Sequence, residues 1–202
     1  MHSLSNQSQK AKAYLADVGS HQMWAAQSLE LSKNQHFLTS GGMGAMGFSL
    51  PAGIGACIAL DKEPVVVIIG DGCMQINIQE LQTIVRNKLP VKIIVLNNRT
   101  LGMIRQFQDS YFESRYQSTY WGYDAPDFSK VAIAYGIEAM TIENPDDVEN
   151  AVQWLWNDEN ATKPQLLQVM IDPHTNTYPK IAFGRPITEM EPFAKPIAME
   201  AT

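Results

Sequence analysis

Runs of apolar residues alternate along the chain with stretches of helical periodicity. Val65–Ile69 and Val91–Leu96 are continuous and largely β-branched, which is typical of strands buried on both faces of a sheet. Ile137–Ile142 and Leu166–Ile171 predict two further strands. Because strands and helices alternate at short spacing, we predict an α/β fold with a central, mostly parallel sheet of about six strands and helices on both faces.

Helix signals lie between these runs. Asn77 and Glu80 have the spacing of a capping box, in which two side chains pair with free backbone N–H groups at a helix start. The apolar residues that come next fall on one helical face: Ile78, Leu81, Ile84 and Val85. Further helices are expected over 23–31, the second half of the glycine-rich segment 41–55, 127–135 and 144–155.

The length fits a single domain. A chain of 202 residues can bury one sizeable core. The polar stretch 1–17 is interpreted as a lead-in segment and 18–172 as the body of the domain. Residues 173–202 are rich in proline and irregular, and we interpret them as an extension of the same domain that crosses onto another surface.

Composition and charge exclude several classes of protein. The net charge of −6 and the lack of Lys and Arg runs argue against a nucleic-acid partner. No run approaches the roughly 20 apolar residues of a membrane span, and the first residues lack the apolar stretch of a signal peptide. Only Cys57 and Cys73 occur, so we expect no disulfide framework and a cytoplasmic location.

Two oxygen-bearing side chains come directly after the ends of two predicted strands. Asp71 lies between two glycines after the first run, and Asn98 lies just past the second run. A glycine-flanked acid alone could be a simple turn, but the two positions together favour a shared site, because ligands bind at the carboxyl ends of parallel strands. Such hard oxygen donors suit Mg²⁺, with phosphate oxygens completing its coordination.

The motifs resemble those of a known family. GDG and then NN, at this spacing, are similar to the cofactor motif of thiamine-diphosphate-dependent enzymes. VGSHQMWAAQ, GAMGFSLPAGIGA, KLPVKIIVLNN and LGMIRQFQ extend the likeness to acetolactate (acetohydroxyacid) synthases, over roughly 18–189. The resemblance implies that 18–172 is the diphosphate-binding domain of a carboligase. Such an enzyme decarboxylates pyruvate and joins the product to a second 2-keto acid, in branched-chain amino acid biosynthesis.

This resemblance implies roles for particular residues. Mg²⁺ would be held by Asp71 and Asn98 through their side chains and by Thr100 through its carbonyl oxygen. Gly44 would offer its carbonyl to the aminopyrimidine ring, and Met46 would be the wedge that keeps the cofactor bent. The other residues expected to surround thiamine diphosphate are Ser20, His21, Ala45, Gly72, Cys73, Leu101, Gly102 and Met103.

Three positions depart from the pattern of the family. Ser20 stands where the family usually has glutamine, which shortens one contact on the diphosphate side. Cys73 stands where many relatives have a small residue, and we predict no thiol chemistry for it. Phe107 occupies the place of a tryptophan that faces the substrate in acetolactate synthases. The preferred acceptor is therefore open, and the alternative is another thiamine-diphosphate-dependent decarboxylase or carboligase.

The resemblance also implies parts that this sequence does not contain. In the family, a glutamate from a pyrimidine-binding domain of a neighbouring subunit activates the cofactor, and a middle domain can carry FAD. We expect the pyrimidine-binding domain in the same full-length protein or in a separate subunit, within a homo-oligomer. The chain alone is expected to be inactive. A non-catalytic fragment that binds thiamine diphosphate is the remaining alternative.

Overall fold

The protein, described by a computed structural model for residues 1–195 and 197, is built around a parallel sheet of six strands. The strand order is β2-β1-β3-β4-β6-β5, and every pairing is parallel. The strands are β1 (Ala13–Ala16), β2 (His36–Thr39), β3 (Val65–Gly70), β4 (Val91–Asn97), β5 (Glu138–Ile142) and β6 (Gln165–Met170). The predicted α/β fold is confirmed.

Helices cover the sheet and connect its strands. They are α1 (His2–Gln7), α2 (Ser20–Ser28), α3 (Ser49–Ala59), α4 (Asp71–Ile76), α5 (Glu80–Asn87), α6 (Gly102–Tyr111), α7 (Phe128–Ala134) and α8 (Val148–Trp156). A short 3-10 turn, Pro145–Asp147, leads into α8, and Asn144 accepts a hydrogen bond at its start. Between paired strands the helices return the chain to the amino edge of the sheet, as a parallel strand order requires.

Two apolar cores lie on opposite faces of the sheet. Val65, Val67 and Ile69 of β3 pack in one core, with residues of α3, α4, α5 and α7. Val66 and Ile68 alternate into the other core, with residues of α1, α2 and α8. Successive side chains of a strand point to opposite faces, so a strand covered on both sides is apolar throughout. This explains why its sequence shows a continuous run.

The lead-in segment of the sequence prediction needs correction. Ala13–Ala16, within 1–17, forms β1 and pairs with both β2 and β3 inside the sheet. The run of four residues contains two alanines and lacks β-branched side chains, so its pattern did not predict a strand. β2 was also missed, because this edge strand alternates between exposed and half-buried positions.

The predicted capping box at α5 is also wrong. Gln79 occupies the position before the helix, and no side chain caps it. The side chain of Asn77 instead donates from Nδ2 to the carbonyl oxygen of Gly47, at 2.7 Å. The helix itself is present, but it begins after Ile78, at Glu80, and Lys88 in the left-handed conformation caps its end.

The last part of the chain is an irregular extension. It contains a small antiparallel pair, β7 (Lys180–Ile181) and β8 (Met190–Glu191). Gln106 of α6 exchanges two hydrogen bonds with the backbone of Thr177, which fixes the start of this extension on α6. Of the predicted tail, 196 and 198–202 lie outside the described residues. Among those that are described, no helix has the length and apolar character needed to span a bilayer.

Candidate functional site

A cavity of about 250 Å³ opens at the carboxyl edge of the sheet. From β1 the chain crosses to β2 on one side and then returns to β3 on the other side. The cavity lies at this reversal of strand order, and its wall is formed by the segments that come after β1, β2, β3 and β4. Ligands of open parallel sheets bind at such a point.

Besides α4, which begins at Asp71, two longer helices begin at the cavity wall. α2 begins at Ser20 and α6 at Gly102, and no side chain caps either start. The N–H groups in the first turn of a helix have no partner within the helix, and the helix dipole adds partial positive charge there. The two starts therefore favour an anionic group in the cavity.

Asp71 and Asn98 both lie in the wall. They come after β3 and β4, which pair in parallel, and are only 3% and 6% exposed. The hydroxyl of Tyr123 donates to Asp71 at 3.0 Å, and the backbone N–H of Thr100 donates to Oδ1 of Asn98 at 3.3 Å. The side-chain oxygens predicted to bind a metal ion thus share one small space.

Burial raises the pKa of Asp71 to about 6. Hydrogen bonds from Tyr123 and from the backbone of Asp71, Gly72 and Thr100 act in the opposite direction and favour the charged form. These donors are neutral, so no positive charge compensates the buried carboxylate for its loss of hydration. A divalent cation would supply that charge, and a carboxylate beside an amide oxygen suits Mg²⁺.

Glycines around the cavity admit neighbouring side chains. A Cβ atom at Gly102 would lie 2.5 Å from Nδ2 of Asn98, and one at Gly70 would lie 2.8 Å from Nδ1 of His21. Both distances are shorter than any normal contact. Glycine at these positions therefore allows Asn98 and His21 to occupy the wall, in addition to leaving the backbone open to a ligand.

Two polar groups in the wall are buried without a hydrogen-bond partner. They are Oγ of Ser20 and Nε2 of His21, and both residues are 5% exposed. Burial lowers the pKa of His21 to about 4, against the opposing charge of Asp17, so the imidazole is neutral at pH 7. Unpartnered buried polar atoms are uncommon in native proteins. Their position in the wall is suited to a polar ligand.

Asp17, which does not line the cavity, forms a cluster with His21 and Cys73 of the wall, and each of the three places one potential ligand atom within 4.8 Å of the others. Hydrogen bonds between the backbone and the side chains of Asp17 and Cys73 hold this cluster in place. Asp17 accepts backbone hydrogen bonds from Val18, Gly47 and Ser49, and Sγ of Cys73 donates to the carbonyl of Val18.

The thiol of Cys73 is held in its neutral form. Burial raises its pKa, and the nearby charge of Asp17 raises it further. Because the thiolate is the reactive form of cysteine, this environment favours the prediction that Cys73 has no thiol chemistry.

All but two of the predicted cofactor-binding and substrate-facing residues line the cavity. Ala45 lies in the loop beside the wall, and Phe107 lies on α6, where its ring is 4.3 Å from that of Tyr111, centroid to centroid. Within the described residues, the predicted residues that line the cavity are Ser20, His21, Gly44, Met46, Asp71, Gly72, Cys73, Asn98, Thr100, Leu101, Gly102 and Met103. Their roles in binding stay predictions.

Sequence reasoning missed Asp17 and Tyr123, which form hydrogen bonds with residues of the wall. Asp17 comes directly after β1, and the same pattern of an acid after a strand had identified Asp71. Recognising β1 would have found it. Tyr123 contacts Asp71 from 52 positions away, in an irregular segment. No local pattern indicates such a contact.

Comparisons with known proteins agree with this geometry. The family described as "Thiamine pyrophosphate enzyme, C-terminal TPP binding domain" matches residues 17–169. The acetolactate synthase large subunit of Pyropia yezoensis is 43% identical over 183 residues, which cover 91% of this chain and 30% of that protein. The large subunit of acetolactate synthase isozyme 2 from Escherichia coli (strain K12) is 44% identical over 174 residues, which cover 86% of this chain and 31% of that protein.

A solved structure supports the same assignment. The thiamine diphosphate-dependent 4-hydroxybenzoylformate decarboxylase of Rhodococcus jostii RHA1 superposes with a TM-score of 0.72 at 26% identity, over 85% of this chain and 31% of that one. The chain thus spans about a third of the length of the relatives it matches. It belongs to the thiamine pyrophosphate enzyme family and corresponds to the C-terminal, cofactor-binding domain of acetolactate synthase-like proteins.

Proposed function

We propose that this chain is the part of an acetolactate synthase-like carboligase that holds thiamine diphosphate and Mg²⁺. The observation that carries the proposal is the pair of buried oxygen donors, Asp71 and Asn98, at adjacent strand ends in one cavity. The names of the relatives at 43% and 44% identity support the acetolactate synthase branch. The two free, buried cysteines support a reducing, cytoplasmic setting.

Different residues of the chain would bind different parts of the cofactor. Asp71, Asn98 and the carbonyl oxygen of Thr100 would bind Mg²⁺, and the starts of α2 and α6 would face the diphosphate. Gly44 and Met46 would position the aminopyrimidine and thiazolium rings. The unbranched, polarisable thioether of Met46 suits contact with two rings. Thiamine diphosphate held in this way would supply a nucleophilic carbon for chemistry at the keto group of a 2-keto acid.

Catalysis requires a group from outside this chain. Asp71 is the carboxylate of the cavity wall, and no glutamate lines that wall within the described residues. We propose that a pyrimidine-binding domain supplies the glutamate, in the same protein or in a partner subunit of a homo-oligomer. Met43 is 92% exposed, Ile76 54% and Met46 38%. This apolar surface beside the cavity supports such a partner.

A different substrate preference is the second candidate. Phe107 is smaller than tryptophan and has no N–H group, and it stands in a half-exposed aromatic cluster with Tyr111 and Phe112. A similar structure belongs to a 4-hydroxybenzoylformate decarboxylase. The acceptor, or even the reaction after decarboxylation, would then differ from that of acetolactate synthases.

Reconstitution tests the proposed function. The purified chain with thiamine diphosphate, Mg²⁺ and pyruvate should form no acetolactate, because general acid–base catalysis typically contributes about 10²–10⁴-fold and its glutamate is not in the cavity. Adding a pyrimidine-binding domain, in trans or by fusion, should restore turnover. Phe107→Trp should then change the preference between pyruvate and 2-ketobutyrate as acceptor. Full turnover by the chain alone would contradict the proposal.

A further inference from the structure

We infer that Asp17 and Asn77 clamp Gly47 from two sides and thereby position the 41–48 loop, which carries Gly44 and Met46, over the cavity. The inference rests on the proposed function and adds two positioning residues to it. Neither side chain of the clamp belongs to the cavity wall. Both act on the cofactor through the loop.

The clamp engages both backbone groups of one residue. The N–H of Gly47 donates to Oδ1 of Asp17 at 2.9 Å, and its carbonyl oxygen accepts from Nδ2 of Asn77 at 2.7 Å. Asp17 comes from the end of β1, and Asn77 lies at the end of α4. Because the two partners belong to different elements, they fix the position and the orientation of Gly47 together.

Asp17 also joins the loop to the helix that comes after it. Its second oxygen, Oδ2, accepts from the N–H of Ser49 at 2.6 Å, and Ser49 is the first residue of α3. The carboxylate is fully buried. A buried carboxylate in this position is stabilised by the hydrogen bonds it accepts, so it holds the end of the loop against the rigid sheet.

The loop packs closely on α4, the helix that begins at Asp71. Gly47 has a positive φ of 84°, and a Cβ atom there would lie 2.8 Å from Cγ2 of Ile76. Only glycine satisfies both the conformation and the space. This close packing restricts the loop to one position on α4, and the clamp holds it in that position.

The geometry separates two halves of the site. Met46 and Gly44 lie in the clamped loop and would face the rings of the cofactor, whereas Asp71 and Asn98 lie just past β3 and β4 and would face its diphosphate. Loosening the clamp should therefore weaken contacts to the rings and preserve contacts to the diphosphate. Loss of overall structure would weaken both.

The experiment compares two ligands by calorimetry in the presence of Mg²⁺: thiamine diphosphate and inorganic diphosphate. Asn77→Ala removes one arm of the clamp at a half-buried position. Asp17→Asn keeps the shape of the other arm but turns an N–H₂ group toward a backbone N–H. Each variant should bind thiamine diphosphate about tenfold more weakly and inorganic diphosphate within about twofold of the wild type.

Asn87→Ala is the matched control. Nδ2 of Asn87 also donates to a backbone carbonyl, that of Thr83 at 2.8 Å, but it does so at the far end of α5. This variant should bind both ligands as the wild type does. If Asp17→Asn fails to fold, Asn77→Ala and Gly47→Ala still test the clamp, since each disturbs the loop without changing the buried carboxylate.

The outcomes separate the inference from the proposed function. Selective loss of thiamine diphosphate affinity in the clamp variants supports the clamp. Unchanged affinity, or an equal loss for both ligands, would overturn it and leave the proposed function standing. A wild-type chain that binds neither ligand would overturn the proposed function and the clamp together.

Discussion

The two edges of the sheet both bury polar side chains, but they pair them differently. At the amino edge, Lys92 is fully buried near the start of β4. Its ammonium group donates to the carbonyl oxygens of Asn160 and Lys163 at 2.5 and 2.6 Å, and to Oε1 of Gln165 at 3.0 Å. All three of its N–H donors therefore have acceptors, although Nε2 of Gln165 has no partner there.

At the carboxyl edge some buried polar atoms have no hydrogen-bond partner, and a ligand could supply one. Ser20 and His21 each have a buried polar atom without a partner, and Asp71 carries a buried charge among neutral donors. Desolvation acts at both edges: it lowers the pKa of Lys92 to about 7 and raises that of Asp71 to about 6. The N–H groups of Lys92 nevertheless all have acceptors within the fold, whereas the buried polar atoms of Ser20 and His21 have no partner. The amino-edge cluster is therefore structural, and the unpartnered polar atoms favour a binding role for the carboxyl edge.

Removing the charge of Asp71 should have the largest effect. Asp71→Asn keeps a hydrogen-bond acceptor but loses the negative charge proposed to hold Mg²⁺, so affinity for thiamine diphosphate should fall at least about 100-fold. The free energy of unfolding without ligand should rise by about 2 kcal/mol at pH 7, because burial raises the pKa of this carboxyl to about 6. Calorimetry and urea unfolding measure the two effects.

The control for Asp71 is the same substitution at Asp124. Asp124 is exposed and accepts a hydrogen bond from the N–H of Ala125, so Asp124→Asn should leave affinity unchanged. Equal affinities of Asp71→Asn and the wild type would remove the metal role and with it the contrast between the two edges.

Lys92→Met should show the reverse behaviour. The substitution leaves the carbonyl oxygens of Asn160 and Lys163 without their donor, so the free energy of unfolding should fall by about 2 kcal/mol. Affinity for thiamine diphosphate, measured on folded protein, should stay within about twofold of the wild type.

Lys130→Met is the comparison for that substitution. Lys130 is exposed and pairs with Asp127 at 3.3 Å, and an exposed ion pair typically contributes less than about 1 kcal/mol. If Lys92→Met weakened cofactor binding as strongly as Asp71→Asn, the two edges would not be functionally distinct.

The smallest effect is the pH dependence that His21 contributes. Its folded pKa of about 4 lies below the ordinary value of 6.5, so its stabilising contribution is present above pH 6.5 and is lost as the pH falls toward 4. Between about pH 7 and 5.5 Asp71, with its raised pKa, contributes a slope of opposite sign, and the slope that His21 contributes is a fall of about 1 kcal/mol in the free energy of unfolding. His21→Gln should remove that slope.

The control for this titration is His36→Gln, on exposed strand β2. It should keep the slope of the wild type, measured by urea unfolding across the same pH range. An identical slope in His21→Gln would contradict the buried, neutral imidazole and the unsatisfied state of the carboxyl edge.

The pattern of the sequence predicts the centre of this fold better than its margin. β3 and β4 are buried on both faces, and their continuous apolar runs identify them. β1 is equally buried, but its four residues include two alanines, so the pattern is too short and too weakly β-forming to be recognised. The missing strand also concealed Asp17.

For the candidate site, the sequence indicates the residues at strand ends but not those that other segments bring to them. Asp71 and Asn98 share an edge because their strands are parallel neighbours. Tyr123 approaches from an irregular segment, and Asn77 turns from its expected capping role to Gly47, 30 positions away. Such contacts depend on how the loops pack, which periodicity and motif spacing do not encode.

Hydrogen exchange with and without Mg²⁺ and thiamine diphosphate tests the contrast between the edges most directly. On addition of both, amide protection should increase in three segments of the carboxyl edge, 17–24, 70–73 and 98–103, and stay unchanged at 157–165, beside Lys92. Either component alone should have a much smaller effect. Protection that rises equally at both edges, or that does not change at 70–73 and 98–103, would contradict the assignment of the carboxyl edge as the binding site.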